Sequence, residues 1–372
     1  MIRIDDRNAC CGCSACAAAC PHRAIRMEAD GMGFRYPVVD EDACVDCGLC
    51  EEVCAFHPFP GGEQPRAEAI RFPHLMDKSQ SGGLSFALMR KALLHDCVVY
   101  GAAMEADFTV RHRRVVRSEG LPPLRLSKYV QSDMNGIPAQ VLKDLREGRQ
   151  VLFTGTPCQC AGIASLCKRY RDRLILADIV CHGVPAPAIW KDYLAFREQQ
   201  AGEKITGALF RDPSLGWHIH QEALTFASGR KEVFEDYTFL FYRHLMLRPS
   251  CTACPFASVR RPSDLTMADC WGVEEDLPGF ADDNRGCSLL LVHSERGAAF
   301  TASFPDACER RGIPLSTRRQ PNLEHPSQPH PRAKSFENDY LRRGFGYVLR
   351  HYGPDSPAYR LEQFIKKVKR HL

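Results

Sequence analysis

The sequence predicts a mixed α+β and α/β protein, in which a small cysteine-rich domain is followed by an α/β body with an antiparallel patch. Three observations carry this. Two cysteine runs near the amino end share one spacing. From about residue 98 to 199, short apolar β patterns alternate with helix-length stretches, the mark of βαβ units on a largely parallel sheet. Residues 205–236 instead hold two short β patterns and a Ser228-Gly229 turn, which suits antiparallel strands.

The first run places cysteines at Cys10, Cys13, Cys16 and Cys20, and the second at Cys44, Cys47, Cys50 and Cys54. Each fits C-x2-C-x2-C-x3-C, the spacing that wraps thiolates around a 4Fe-4S cluster. In two-cluster ferredoxins the fourth cysteine of a run ligates the other cluster. The assignment is therefore Cys10, Cys13, Cys16 and Cys54 for one cluster, and Cys44, Cys47, Cys50 and Cys20 for the second. Zinc favours two C-x2-C knuckles separated by a loop, which fits poorly. Disulfides fit less well, because nothing marks the chain as exported. Cys11 breaks the period and reads as a spare thiol beside a cluster. Residues 1–60 thus read as a two-cluster 4Fe-4S ferredoxin domain, an internal repeat with a short strand, Phe34–Asp40, between its halves.

A length of 372 residues allows two or three units. An apolar fraction of 44% and a charged fraction of 25% are ordinary for a globular protein. A net charge of +4 gives no argument for nucleic acid. Met1–Arg7 has no apolar stretch of signal-peptide length, and no run is long enough for a transmembrane segment. With nineteen cysteines, the expectation is a cytoplasmic, reducing setting. A peripheral place in a membrane complex is compatible with it.

The stretch Pro58–Pro65 reads as a linker, and the linker assignment runs over residues 61–74. The body divides into an N-terminal part, 75–150, and a C-terminal part, 151–330. Its expected elements are a strand Val98–Ala103, a helix Ile137–Glu147 stopped at Gly148, and a strand Val151–Thr154. A helix Cys160–Tyr170, a strand Leu174–Val180 and a helix Pro187–Gln199 follow. Ile205–Phe210 and Gln221–Phe226 form the antiparallel patch, and Leu289–Val292 is a further buried strand. Residues 331–372 read as a helical basic tail, either a solvated helix face or a dock for an acidic partner.

Ser79-Gln80-Ser81-Gly82-Gly83 opens a helix, and its free N–H groups suit a phosphate or a flavin edge; a plain N-cap turn is the simpler reading. Thr154–Cys160 and Cys181–Pro185 fall where strands end, the edge at which ligands gather in open α/β sheets. Cys158 and Cys181, with the Cys251-x2-Cys254 pair, are candidates for a third 4Fe-4S cluster; ordinary buried or reactive thiols are the alternative. Gly31-Met32-Gly33 has Tyr36 where a dinucleotide fingerprint needs its third glycine, and there is no P-loop.

Taken in order, several motifs resemble the beta subunit family of coenzyme factor-420 (deazaflavin) hydrogenases and dehydrogenases. They are Ser79–Gly83, Ser127-Lys128-Tyr129-Val130-Gln131-Ser132, Gly155–Gln159, Cys181–Pro185, Phe210-Arg211-Asp212 with Gly216-Trp217, Cys251–Phe256, Asp264–Thr266 and Asp269-Cys270-Trp271-Gly272. The match spans about residues 75–330. The resemblance implies a flavin-binding body with FAD, and a 4Fe-4S cluster held by Cys158, Cys181, Cys251 and Cys254. It makes Ser79, Gln80, Ser81, Gly82, Gly83, Ser127, Lys128, Tyr129, Gln131 and Ser132 flavin contacts. Cys270 stands where the family more often has an aromatic, so Cys270, like Cys160, is an alternative ligand. The implied function is an iron–sulfur flavoprotein oxidoreductase. It would pass electrons between a ferredoxin-like donor, the clusters, FAD and a small-molecule redox substrate that accepts or donates hydride. The alternatives are an electron-relay subunit of a larger complex, with no substrate site of its own, and a zinc-stabilised binding protein.

Overall fold

The computed structural model describes residues 1–57, 64–281, 283–315 and 320–369. Residues 58–63, the larger part of the expected linker stretch, and 370–372, the end of the basic tail, lie outside the described residues.

The cysteine-rich domain contains α1 (Ala15–Ala19), a hairpin of β1 (Ile25–Ala29) and β2 (Arg35–Val39), and α2 (Leu49–Glu52). The hairpin turn is tied by Asp30, whose Oδ1 accepts from the amides of Met32 and Phe34, both at 2.9 Å. Gly33 takes φ +84° there, and a Cβ on it would lie 2.9 Å from the Ala188 amide. The turn therefore lies against the body, and Met32 and Phe34 are buried in one core with Ile189, Trp190 and Tyr193.

The body is built on β3 (Arg66–Arg71), α3 (Leu84–Leu94), β4 (Val98–Met104), β5 (Val110–Val115), α4 (Ile137–Arg146), β6 (Val151–Gly155), α5 (Pro157–Leu166), β7 (Leu174–Ile179) and α6 (Pro187–Ala201). Next come β8 (Ile205–Leu209), β9 (Glu222–Phe226), β10 (Lys231–Phe234) and α7 (Asp236–Tyr242). Then follow β11 (Leu265–Asp269), α8 (Val273–Asp276), β12 (Ser288–Val292), α9 (Glu295–Thr301) and β13 (Glu309–Gly312). The tail forms three helices, α10 (Ala333–Arg343), α11 (Phe345–Tyr352) and α12 (Pro357–Lys369).

Eight strands make one sheet in the order β13-β3-β12-β11-β7-β6-β4-β5. The centre, β4, β6, β7 and β11, is parallel, as the βαβ alternation predicts, and antiparallel pairs flank it. One face is covered by α3 and α9, where Leu84, Leu88, Ala298 and Phe300 pack on Val99, Leu152 and Leu290. The other is covered by α4 and α5, where Val141, Leu145 and Ile163 pack on Tyr100, Phe153 and Leu176. The expected antiparallel patch is a separate three-stranded sheet, β10-β9-β8.

Two expectations are corrected. Residues 66–71 are not linker: they form β3, antiparallel to both β12 and β13. The helix expected at Cys160–Tyr170 begins at Pro157, because Thr156 and Gln159 form a capping box and proline suits a first helical turn. It ends at Leu166, and Tyr170, at φ −124°, is outside helical geometry. The tail's helical region starts at Ala333 and breaks at Gly344 and Gly353.

No described helix is long and apolar enough to cross a membrane. Trp190 is the anchor of the core shared by the two domains. Its indole donates to Phe108 O at 2.9 Å, and its ring lies 4.5 Å from Phe210 and 5.0 Å from Tyr237. Trp190→Ala is expected to cost about 3–5 kcal/mol, read as a lower urea midpoint; an unchanged midpoint would contradict this packing.

Candidate functional site

Strands β3, β6, β7 and β11 point the same way, so their carboxyl ends share one edge. Beyond that edge lies a cavity of about 410 Å3, within the range of small-molecule sites. The loop Ser79–Gly83 after β3, Thr154–Thr156 after β6, Cys181–Pro185 after β7 and Asp269–Trp271 at the end of β11 all reach it. Arg125, Lys128, Tyr129, His220 and Tyr242 close its far walls.

Of the residues expected to hold a flavin, Ser79, Gln80, Ser81, Gly83, Ser127, Lys128, Tyr129 and Ser132 line this cavity. Gly82 and Gln131 do not. A Cβ on Gly82 would lie 2.3 Å from Ile70 O and 2.6 Å from Ser288 N, so Gly82 seats the loop on the sheet. Gln131 turns toward the cysteine-rich domain, donating to Cys11 O and accepting from Arg248, both at 2.9 Å. A buried amide takes the partners nearest to it, and here those belong to the other domain.

The loop hydroxyls serve the backbone: Ser79 donates to Leu75 O at 2.7 Å and Ser81 to Cys287 O at 2.8 Å. Gln80 differs. It is buried, it lines the cavity, and neither end of its amide has a hydrogen-bond partner. A buried amide left unmade is costly. Beside it, α3 starts at Gly83 with no side-chain cap, and its first turn, Leu84–Phe86, faces the cavity. Free N–H groups and the helix dipole make that end attractive to an anion.

Lys128 Nζ donates to Arg125 O at 2.6 Å and Leu126 O at 3.2 Å. Burial pushes its pKa down to about 7. His220 Nδ1 lies 2.5 Å from the Tyr242 hydroxyl, which donates to that of Tyr129 at 3.2 Å. Burial, with Arg211 nearby, lowers His220 to about 4, so it is neutral at pH 7. Asp269 holds Arg211 at 2.7 Å and the Trp217 indole at 2.8 Å, and Trp271 stacks on Trp217 at 4.8 Å. His220, Tyr242 and Gln320 are wall residues that the sequence does not reveal, while Arg211 falls in the Phe210-Arg211-Asp212 motif; single polar residues on separate elements leave no spacing to read.

The cysteines fall into groups. Cys20, Cys44, Cys47 and Cys50 line one small cavity with Ile25, Val39 and Leu49. Cys10, Cys13, Cys16 and Cys54 lie near one another. Cys158, Cys181, Cys251 and Cys254 form a third group, and Cys181 also lines the large cavity. The groups run in series. Cys54 lies near both Cys13 and Cys50. The Cys11 thiol hydrogen-bonds to Cys13 and Cys158, lowering Cys13 to about 7. Burial raises Cys181 to about 12 and Cys254 to about 11, so binding a metal there must expel protons.

The two alternative ligands lie elsewhere. Cys270 is buried against Cys287, in a core with Val273 and Leu289. Cys160 lies on α5 itself, buried in the core between that helix and the sheet, near Asp178 and Ser263. Among the described residues, no three His, Cys, Asp or Glu side chains close to the spacing of a single metal ion. Thiolates on one zinc, at about 2.3 Å each, must nearly touch, whereas those of a cluster cap separate irons.

Comparison with known proteins finds likeness in two stretches of the chain. Residues 9–57 match the 4Fe-4S dicluster domain, and residues 148–309 match the family described as the C terminus of the coenzyme F420 hydrogenase/dehydrogenase beta subunit. An iron–sulfur subunit of the CoB–CoM heterodisulfide reductase from Methanocaldococcus jannaschii is 37% identical over 65 residues, 14% of this chain. The match spans only 10% of that relative's length. A chain of the F420-reducing NiFe hydrogenase complex from Methanosarcina barkeri superposes with a TM-score of 0.47 at 14% identity, covering 80% of this chain and 97% of that one. The chain is thus an iron–sulfur redox protein whose residues 9–57 match a 4Fe-4S dicluster domain and whose residues 148–309 are similar to the C terminus of the coenzyme F420 hydrogenase/dehydrogenase beta subunit.

Proposed function

We propose that the chain is an iron–sulfur flavoprotein oxidoreductase, passing electrons between a ferredoxin-like donor and a small-molecule substrate that gains or loses hydride. One observation carries the reading: the cavity and the third cysteine group share a wall at Cys181. A redox group in the cavity would therefore sit beside a metal centre. When bound, clusters supply single electrons and a flavin exchanges one electron for two.

Twelve cysteines hold three 4Fe-4S clusters in this reading. Cys20, Cys44, Cys47 and Cys50 hold the outer one, and Cys10, Cys13, Cys16 and Cys54 the inner one. Cys158, Cys181, Cys251 and Cys254 hold the central one. The outer group is the entry point for a redox partner, because Cys47 is exposed and Val45 and Leu49 beside it are exposed apolar residues.

FAD fits the cavity's donors. The unpartnered Gln80 amide complements the amide-like edge of a flavin, and the uncapped start of α3 suits a phosphate. Lys128 gives a charge that burial opposes and an anionic ligand would stabilise. Tyr129, Tyr242 and His220 form a hydrogen-bonded series able to hold a proton at the wall. A deazaflavin is one candidate substrate, suggested by the family's description.

Anaerobic iron, sulfide and flavin analysis tests the whole scheme. About twelve irons and one flavin per chain are expected; about eight irons would remove the central cluster, and iron-replete protein without flavin would favour a relay role. Gln80→Met should weaken flavin binding about tenfold while stabilising flavin-free protein by about 1–3 kcal/mol, measured by fluorescence titration and urea unfolding. Lys128→Met should weaken flavin binding or lower the flavin potential. It also has a pH signature. The folded value of about 7 lies below the ordinary lysine value of 10.5, so the burial cost is full below pH 7 and lifts as pH rises toward 10.5. Wild-type protein should gain stability relative to Lys128→Met between pH 7 and pH 9; parallel curves would contradict a Lys128 whose charge burial opposes.

A further inference from the structure

We propose that Arg248 is the fixed counter-ion of the inner cluster and a positioning residue that raises its reduction potential above the value its burial alone would set. This rests on the assignment of Cys10, Cys13, Cys16 and Cys54 to one cluster, made above.

Arg248 is completely buried. It belongs to the segment that leads into Cys251, whose amide donates to Arg248 O at 2.9 Å, yet its side chain enters the other domain. Nε donates to Cys10 O at 2.8 Å, and Nη2 donates to Arg35 O at 2.9 Å. Nη2 also lies 3.7 Å from Cys10 Sγ, and Nη1 donates to Gln131 Oε1. The guanidinium carbon lies 4.3 Å from the Tyr36 ring centre and 5.4 Å from that of Phe34.

A guanidinium carries a fixed positive charge. Among the described residues no carboxylate forms an ion pair with Arg248; carbonyls, one amide, aromatic faces and a cysteine sulfur surround it. A charge taken out of water without an opposite partner is strongly unfavourable. The anion that completes this site is a thiolate-ligated cluster at Cys10. The backbone is shaped for it. Gly12 takes φ +72°, and a Cβ there would lie 2.9 Å from Nη1 and 3.0 Å from Arg35 O, so only glycine leaves room for the guanidinium.

One electron added to a cluster makes it one unit more negative. A cation in contact with one of its ligands, away from water, favours the reduced form. The outer cysteines line a separate cavity that Arg248 does not reach, so the outer cluster is an internal reference.

The test uses full-length, iron-replete protein under anaerobic conditions. Mediated dithionite titration followed by electron paramagnetic resonance compares wild type with Arg248→Gln, Arg248→Met and Arg248→Lys. The neutral variants should move the inner-to-outer electron partition at least tenfold toward the outer cluster, a 59 mV fall for a one-electron couple, with iron content unchanged. Arg248→Lys keeps the charge, so it should stay within threefold of wild type. Neutral variants with full iron and an unchanged partition would overturn the proposal. So would a lysine variant that shifts as far as they do. Should the neutral variants lose the inner irons, a lysine variant that holds them supports the counter-ion, and one that loses them too overturns it. Wild-type protein without amino-terminal cluster signals would overturn the ligand assignment itself.

Discussion

The cysteine-rich hairpin is built into the body's core, and the arrangement of the rest follows from that. Met32 and Phe34 lie in one apolar cluster with Ile189, Trp190 and Tyr193, and the Ala188 amide donates to Met32 O. A ferredoxin module on a flexible tether would sample many distances from its partner. Here α1 packs on α4 and α5, and the Arg7–Ala9 turn packs on Pro249–Ala253. Cys10 and Cys13 are consequently fixed against the elements that carry Cys158 and Cys251. Burial of a few large side chains thus sets the spacing of the sulfur groups, more than the linker does.

The second constraint is strand direction. Four strands that run the same way release their following loops along one edge, and each loop turns tightly enough to leave room beyond it. Gly82 and Gly155 lie close to neighbouring groups at that edge, which keeps two loops low on the sheet. The cavity is the space left above them. Its walls come from residues 79 to 320, so it forms only when the whole sheet does.

What could be read in advance follows from the range of each interaction. The cysteine runs were legible because a cluster is wrapped by near neighbours in the chain. The parallel centre was legible because βαβ units repeat locally, and the cavity loops because their motifs fall at strand ends. β3 was missed because its partners, β12 and β13, lie more than 200 residues away, and Arg66–Ala69 alternates charge with alanine. Gln131 was assigned to the cavity from its neighbours in sequence, yet its side chain leaves on the opposite side from Lys128. Arg248 carried no signal at all, because one arginine near a cysteine pair looks like any other. The contact of Cys11 with both Cys13 and Cys158 depends on the two domains meeting.

Of the twelve cysteines in the three groups, Cys47 alone is exposed; the others are half-buried or buried. A bulky, water-borne alkylating reagent offered to metal-free chain would meet that sulfur first. The protein thus carries its own accessibility gauge, in which the order of labelling tracks depth from the surface and a single tagged thiol marks the doorway.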